Sequence, residues 1–138
     1  MNQSSNNQFN DQLRKRTMKM VVDVRNLLSN LKISAIDRPA INQLIRCSSS
    51  VAANYRSATR GRSDGEFFSK ICIVVEEADE TLFWIEYLAQ IRVIPETPAT
   101  CLMAELDQLV RLFASIKRKM KEKLELAGER QEELSLKR

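Results

Sequence analysis

Four carboxylates in five positions, Glu76, Glu77, Asp79 and Glu80, and three consecutive serines, Ser48 to Ser50, come nearest on this chain to catalytic or metal-binding chemistry. An acidic cluster can hold a hard cation and a serine can be a nucleophile, but each needs partners. The 138 residues include no histidine. That removes Ser-His and Cys-His activation, imidazole acid-base work and most zinc and di-iron ligand sets. On a helix the four carboxylates point around more than one face, a geometry better suited to answering arginines than to closing on a metal. The serines, followed by Ala52 and Ala53, read as small residues that let two helices approach closely. Gly61 and Gly65, in TRGRSDGE, lack the spacing of a phosphate-binding loop. Cys47, Cys72 and Cys101 are odd in number, far apart and outside any C-x-x-C pair, so they read as reduced thiols. No cofactor or metal is expected and the chain reads as non-enzymatic; a carboxylate-dependent enzyme is the weakest of three options.

Arginine is the remaining chemistry. The stretch RCSSSVAANYRSATRGRS, residues 46–63, holds four arginines, the residue best shaped for phosphate or carboxylate. Charge is laid out by segment. Residues 12–62 carry eleven Lys or Arg against Asp23 and Asp37, residues 64–107 carry Lys70 and Arg92 against ten acids, and residues 111–123 carry six bases against Glu122.

The elements that must position these groups are helices. Low Gly and Pro content and a composition rich in Ala, Leu, Glu, Lys and Arg predict an all-α chain of one domain. Apolar positions Leu13, Met20, Val24, Leu27, Leu28 and Leu31 recur at threes and fours, predicting a first helix from Phe9 to Leu31. Asp37 as N-cap and Pro39 in the first turn open a second, with Ile41, Leu44, Ile45, Ser48, Val51, Ala52, Tyr55 and Ala58 inward. Ser63 and Glu66 form a capping box for a third, running to about Arg92, with Phe68, Ile71, Val75, Ala78, Leu82, Ile85 and Ala89 facing one way. Thr97 and Pro98 signal a fourth, carried by Leu102, Leu106, Leu109, Val110, Phe113, Ile116 and Met120 to about Leu126, with Gly128 as its end. Residues 1–8 are expected to be disordered, 9–127 to form the bundle, and 128–138 to be a frayed charged tail. Short connections favour an antiparallel up-down-up-down four-helix bundle.

That topology brings the start of helix one and the ends of helices two and four to one pole. It gathers Arg14, Lys15, Arg16 and Lys19, then Arg56, Arg60 and Arg62, then Lys117, Arg118, Lys119, Lys121 and Lys123 as a candidate nucleic-acid-binding set. The competing reading is that these charges complement helix dipoles and pair with the acidic third helix. Phe83, Trp84, Tyr87, Leu88 and Ile91 spread apolar surface over more than one face of helix three. Phe83, Trp84 and Tyr87, with Asn54 and Glu77 in a proposed intersubunit network, form a candidate oligomer interface. The first ten residues, MNQSSNNQFN, are polar, and no apolar run approaches a membrane span, so a cytoplasmic protein is expected.

Helices two and three also carry motifs. Read as S-x-x-A-N-Y-x-x-A, S-x-x-x-F-x-x-K-I and E-A-x-E-T-x-x-W-I-x-x-L, with Ala53, Asn54, Tyr55, Ser63, Phe67, Lys70, Glu77, Ala78, Glu80, Thr81 and Trp84 in order, the chain resembles the bacterial four-helix-bundle family of proteins encoded in 23S ribosomal RNA intervening sequences. The accessory proteins of diversity-generating retroelements, which work beside a reverse transcriptase, are more distantly similar. The resemblance implies a homopentameric ring, no known catalysis and a suspected nucleic-acid role. One departure stands out: the family commonly has acidic residues after Asn-Tyr and a lysine before Glu-Ala, whereas this chain has Arg56, Ser57 and Glu76. If the two sites face each other the pair is swapped; if not, Arg56 is free for a ligand.

Two functions compete. In the first, an oligomeric bundle holds structured RNA or DNA at its basic pole. In the second, an adaptor docks an acidic partner such as a reverse transcriptase.

Overall fold

A computed structural model describes residues 3–138, with side-chain surroundings from residue 4 onward. The described residues form four α-helices and no strand: α1 Gln3–Ser29, α2 Arg38–Thr59, α3 Asp64–Gln90 and α4 Glu96–Leu136. Helix α2 packs on α1 and α3, α3 also packs on α4, and α1 meets α4 along a sparser seam; the backbones of α2 and α4 stay apart, while Tyr55 and Phe113 meet across the core. The arrangement is a four-helix bundle with α2 and α4 on its diagonal.

The inward stripes are those the 3.6-residue period picks out, with adjustments. Leu13, Met20, Val24 and Leu28 of α1 are buried, and Thr17 joins them. On α2, Cys47 is buried while Ile45 faces solvent. On α3, Val74, Thr81 and Leu88 are buried, whereas Phe68, Val75, Leu82 and Ala89 are only half-buried. The reason is that α3 lies between α2 and α4, so its buried arc is wide and centred between them. Leu88 therefore belongs to the core and not to an outer face.

Four end signals come out differently. Ser63 caps α3 by accepting a bond from the Glu66 amide at 3.1 Å, but Glu66 reaches back to the amide of Arg62, one residue beyond the usual box. Asp37 is the N-cap of α2 without a side-chain cap bond. Helix α4 begins at Glu96 with Pro95 as N-cap, which puts Thr97 and Pro98 inside its first turn, where a proline has no intrahelical donor to lose. Helix α3 ends at Gln90 in a Schellman turn: Val93 donates to Leu88 at 2.9 Å and Arg92 to Ala89 at 3.0 Å. Arg92 takes the left-handed position, φ 62°, where glycine is usual.

Two boundaries are extended. Residues 3–8, expected to be disordered, are the first turns of α1; residues 1 and 2 lie outside the described residues. Gly128 does not stop α4, which runs to Leu136. One interior glycine costs about 1 kcal/mol, less than the combined preference of the Leu, Glu, Lys, Arg and Gln around it. At roughly 1.5 Å per residue α4 is about 60 Å long against about 40 Å for α3, so its end projects beyond the bundle. No helix among the described residues is long and apolar enough to cross a membrane.

Candidate nucleic-acid interface

The pole predicted to be basic is organised around Tyr55. Its ring is buried against Phe113, centroids 5.2 Å apart, and its hydroxyl donates to Asn10 at 3.0 Å. Burial pushes the phenol up to about 12, so it stays a neutral donor. This contact pins the start of α1 to the end of α2 and the middle of α4. It fixes which cations become neighbours.

Four of the twelve candidate residues are paired with carboxylates inside the chain. Arg16 turns toward α4, where it meets Glu105 at 2.6 Å and donates to Gln108 at 3.1 Å. Lys123 pairs with Asp64 at 3.1 Å, and Arg14 with Asp11 on its own helix. Lys19 pairs with Asp23 at 2.6 Å, and that bond raises its pKa. Among the described residues Lys15, Arg56, Arg60, Arg62, Lys117, Arg118, Lys119 and Lys121 make no ion pair. Met120 shares a concavity with Thr59 and Arg62 at this pole, but none of Lys117, Arg118, Lys119 and Lys121 lines either concavity that Arg56 and Arg60 border.

What the fold brings together is a ridge between two concavities. The first, of about 540 Å³ between α1 and α2, is lined by Arg14, Lys15, Lys19, Arg56 and Arg60 with Met18, Val22 and Ala52. The second, at the α2–α3 turn, is lined by Arg56, Arg60, Arg62 and Lys70 with Glu66 and small residues including Ser57, Ser63 and Ser69. Arg56 and Arg60, four apart on one helical face, border both. Sequence reasoning did not assign Lys70, Met18 or Val22 to this site. Lys70 was visible only as a motif lysine, and the two apolar residues fall between the core positions of α1, so periodicity gave no reason to choose them.

The departure at Arg56 resolves through register. Arg56 sits level with Ser69 and Lys70 across the second concavity, two turns from Glu76, and the two form no ion pair. The acidic residues of α3 answer Arg46 instead. Its guanidinium contacts Glu77 at 3.1 Å and both oxygens of Glu80 at 2.8 Å. Those bonds hold Glu80 below the usual carboxylate range, with help from the Trp84 indole N–H at 3.3 Å.

The remaining candidates lie on the outer faces of α2 and α3. Glu77 finds its partner inside the chain in Arg46, and Asn54 donates to Ser50 Oγ at 2.8 Å and to the Ser50 carbonyl at 3.0 Å. Both reach groups on the bundle itself. Phe83, Trp84 and Tyr87 form a ring cluster with centroids 5.0 to 6.4 Å apart. Phe83 is 54% and Tyr87 41% exposed, while Trp84 is half-buried. This cluster sits about 20 Å along α3 from Lys70. The basic ridge and the aromatic face thus occupy opposite ends of the molecule.

The family model of the 23S rRNA-intervening sequence protein matches residues 10–115. Among solved structures, a protein of unknown function from the S23 ribosomal protein family of Bacteroides thetaiotaomicron superposes with a TM-score of 0.68. It shares 23% identity, and the match covers 79% of this chain and 97% of that one. No curated protein matches the chain. The family match takes in Arg56, Arg60, Arg62 and the aromatic cluster, but stops before Lys117.

Proposed function

The chain belongs to the 23S rRNA-intervening sequence protein family, and from that premise we propose that it is a non-enzymatic, oligomeric bundle that holds structured RNA or DNA by phosphate contacts. The observation that carries this reading is the ridge of Arg56 and Arg60, extended by Lys15, Arg62 and Lys70, in which no side chain makes an ion pair among the described residues. Five cations without an ion-pair partner around two concavities make a field suited to a polyanion. Repeating the ridge once per subunit would add modest phosphate contacts into useful avidity. The exposed Phe83 and Tyr87 are the surface we assign to self-association, a homopentamer being the number the family resemblance suggests.

Filter binding of a structured RNA and a duplex DNA at two salt concentrations tests the proposal. Comparable binding of both, falling steeply with salt, is expected; salt-independent or absent binding overturns it.

The second reading is an adaptor that docks an acidic protein such as a nucleic-acid enzyme. The observation favouring it is that Met18 and Val22, 52% and 46% exposed, floor the α1–α2 groove, where a phosphate backbone has no use for them.

A further inference from the structure

The projecting end of α4 has a pattern of its own. Glu122, Glu125, Glu129 and Glu132 are spaced by three and four, which places them on one helical face with Glu133 beside them. Leu136 continues the stripe, and Leu126 borders it, four residues from Glu122 and three from Glu129; they are 87% and 56% exposed. Like charges at these spacings repel, and none of the five glutamates has an ion-pair partner among the described residues. An isolated helical end of this length is marginal in water. Arg118, Lys121 and Lys137 lie four residues from Glu122, Glu125 and Glu133 on the same helix, yet none closes an ion pair with them, so the acidic stripe with its two leucines is unpaired on its own bundle.

The α1–α2 groove has the complementary pattern: Lys15, Arg56 and Arg60 unpaired at its rim, Arg14 and Lys19 held only by carboxylates of their own helix, and Met18 and Val22 exposed between them. From Arg14 to Val22 the groove runs about 12 Å, the length of the stripe from Glu125 to Glu133. Helix α4 is unbroken to Leu136 and runs well past the end of α3, so it carries the stripe away from its own groove.

We propose that the acidic stripe at the end of α4 docks in the α1–α2 groove of a second copy of this chain, glutamates on the rim cations and leucines on Met18 and Val22. The interaction masks the basic ridge, so a polyanion must displace it. That consequence rests on the function proposed above; the docking itself does not.

Amide hydrogen exchange of the full chain at low and high protein concentration tests the docking, compared with Arg56→Glu/Arg60→Glu, two exposed changes that leave the tail untouched. Residues 124–136 should gain protection with concentration in the wild type and stay unprotected in the variant. Tail exchange that ignores concentration overturns the proposal, and so does protection that survives in the variant, which would mean that tails pair with tails. Binding of a 20-nucleotide single-stranded RNA by full-length Glu125→Gln/Glu129→Gln/Glu132→Gln/Glu133→Gln reads the masking. Affinity should rise about tenfold, since a ligand sees only the uncovered fraction. Unchanged affinity overturns the masking. Docking without RNA binding by any variant would remove the nucleic-acid reading and leave the docking standing.

Discussion

Arg46 on α2 lies within 2.8 Å of both carboxylate oxygens of Glu80 on α3. With Glu77 on the same guanidinium at 3.1 Å, one arginine turns the acidic run of α3 from a repulsive cluster into a clamp between two helices. The groups are partly solvated, so the clamp contributes modestly to stability. Arg46→Ala should lower stability slightly at pH 7. Glu80 titrates below its ordinary value when folded, so its contribution is complete above the ordinary carboxylate range and disappears as pH falls through the lowered value. Urea denaturation of wild type and Arg46→Ala should converge as the solution is acidified. A constant difference down to the lowest pH would assign the effect to packing.

The Schellman turn after α3 puts a side chain where a left-handed backbone disfavours one. Arg92→Gly should relieve a penalty of about 1–2 kcal/mol while adding unfolded-chain entropy, for a net gain of about 0.5–1 kcal/mol. Arg92 is exposed and makes no ion pair among the described residues, so little is lost with the side chain. Thermal unfolding at several protein concentrations measures this; destabilisation would show that Arg92 makes a contact in the assembly.

Phe83 and Tyr87 stand out from α3 while Trp84 packs inward, which makes the first two the cleaner probe of assembly. Phe83→Glu with Tyr87→Glu should reduce the mass seen by light scattering at micromolar concentration while far-UV circular dichroism keeps its helical signature. A wild-type protein that is already monomeric there would remove the interface.

Binding should depend on which cations are free. Replacing Arg56, Arg60 and Arg62 with alanine should weaken RNA and DNA alike and flatten the plot of log affinity against log salt, each lost phosphate contact removing roughly 0.7 to 0.9 of slope. Arg16→Ala, which removes a charge already answered by Glu105, should leave the slope unchanged. Equal slope losses for Arg16 and any one of the three would show that ion pairing inside the chain does not select the binding residues.

The helical stripes, the Ser63 cap, the bundle topology and the family motif were legible in the sequence, because periodicity and capping are relations among residues three and four apart and need no knowledge of the rest of the chain. The reach of α4 exceeds what Gly128 as a stop signal implies, because the good helix formers on both sides outweigh one glycine. What only the tertiary structure decided was partnership. Sequence could place twelve cations near one pole, but Arg16 is engaged by Glu105, eighty-nine positions away, while Arg56 is left free beside Lys70. Arg46, unremarkable in the chain, meets Glu77 and Glu80 because of a register that side-chain packing of α2 on α3 sets. Met18 and Val22 became a groove floor only when α2 was laid beside α1. Charge is a property of a residue, but whether that charge is spent inside the fold or offered to solvent depends on which helices become neighbours. Packing at the interfaces decides that, and it couples residues far apart in the chain.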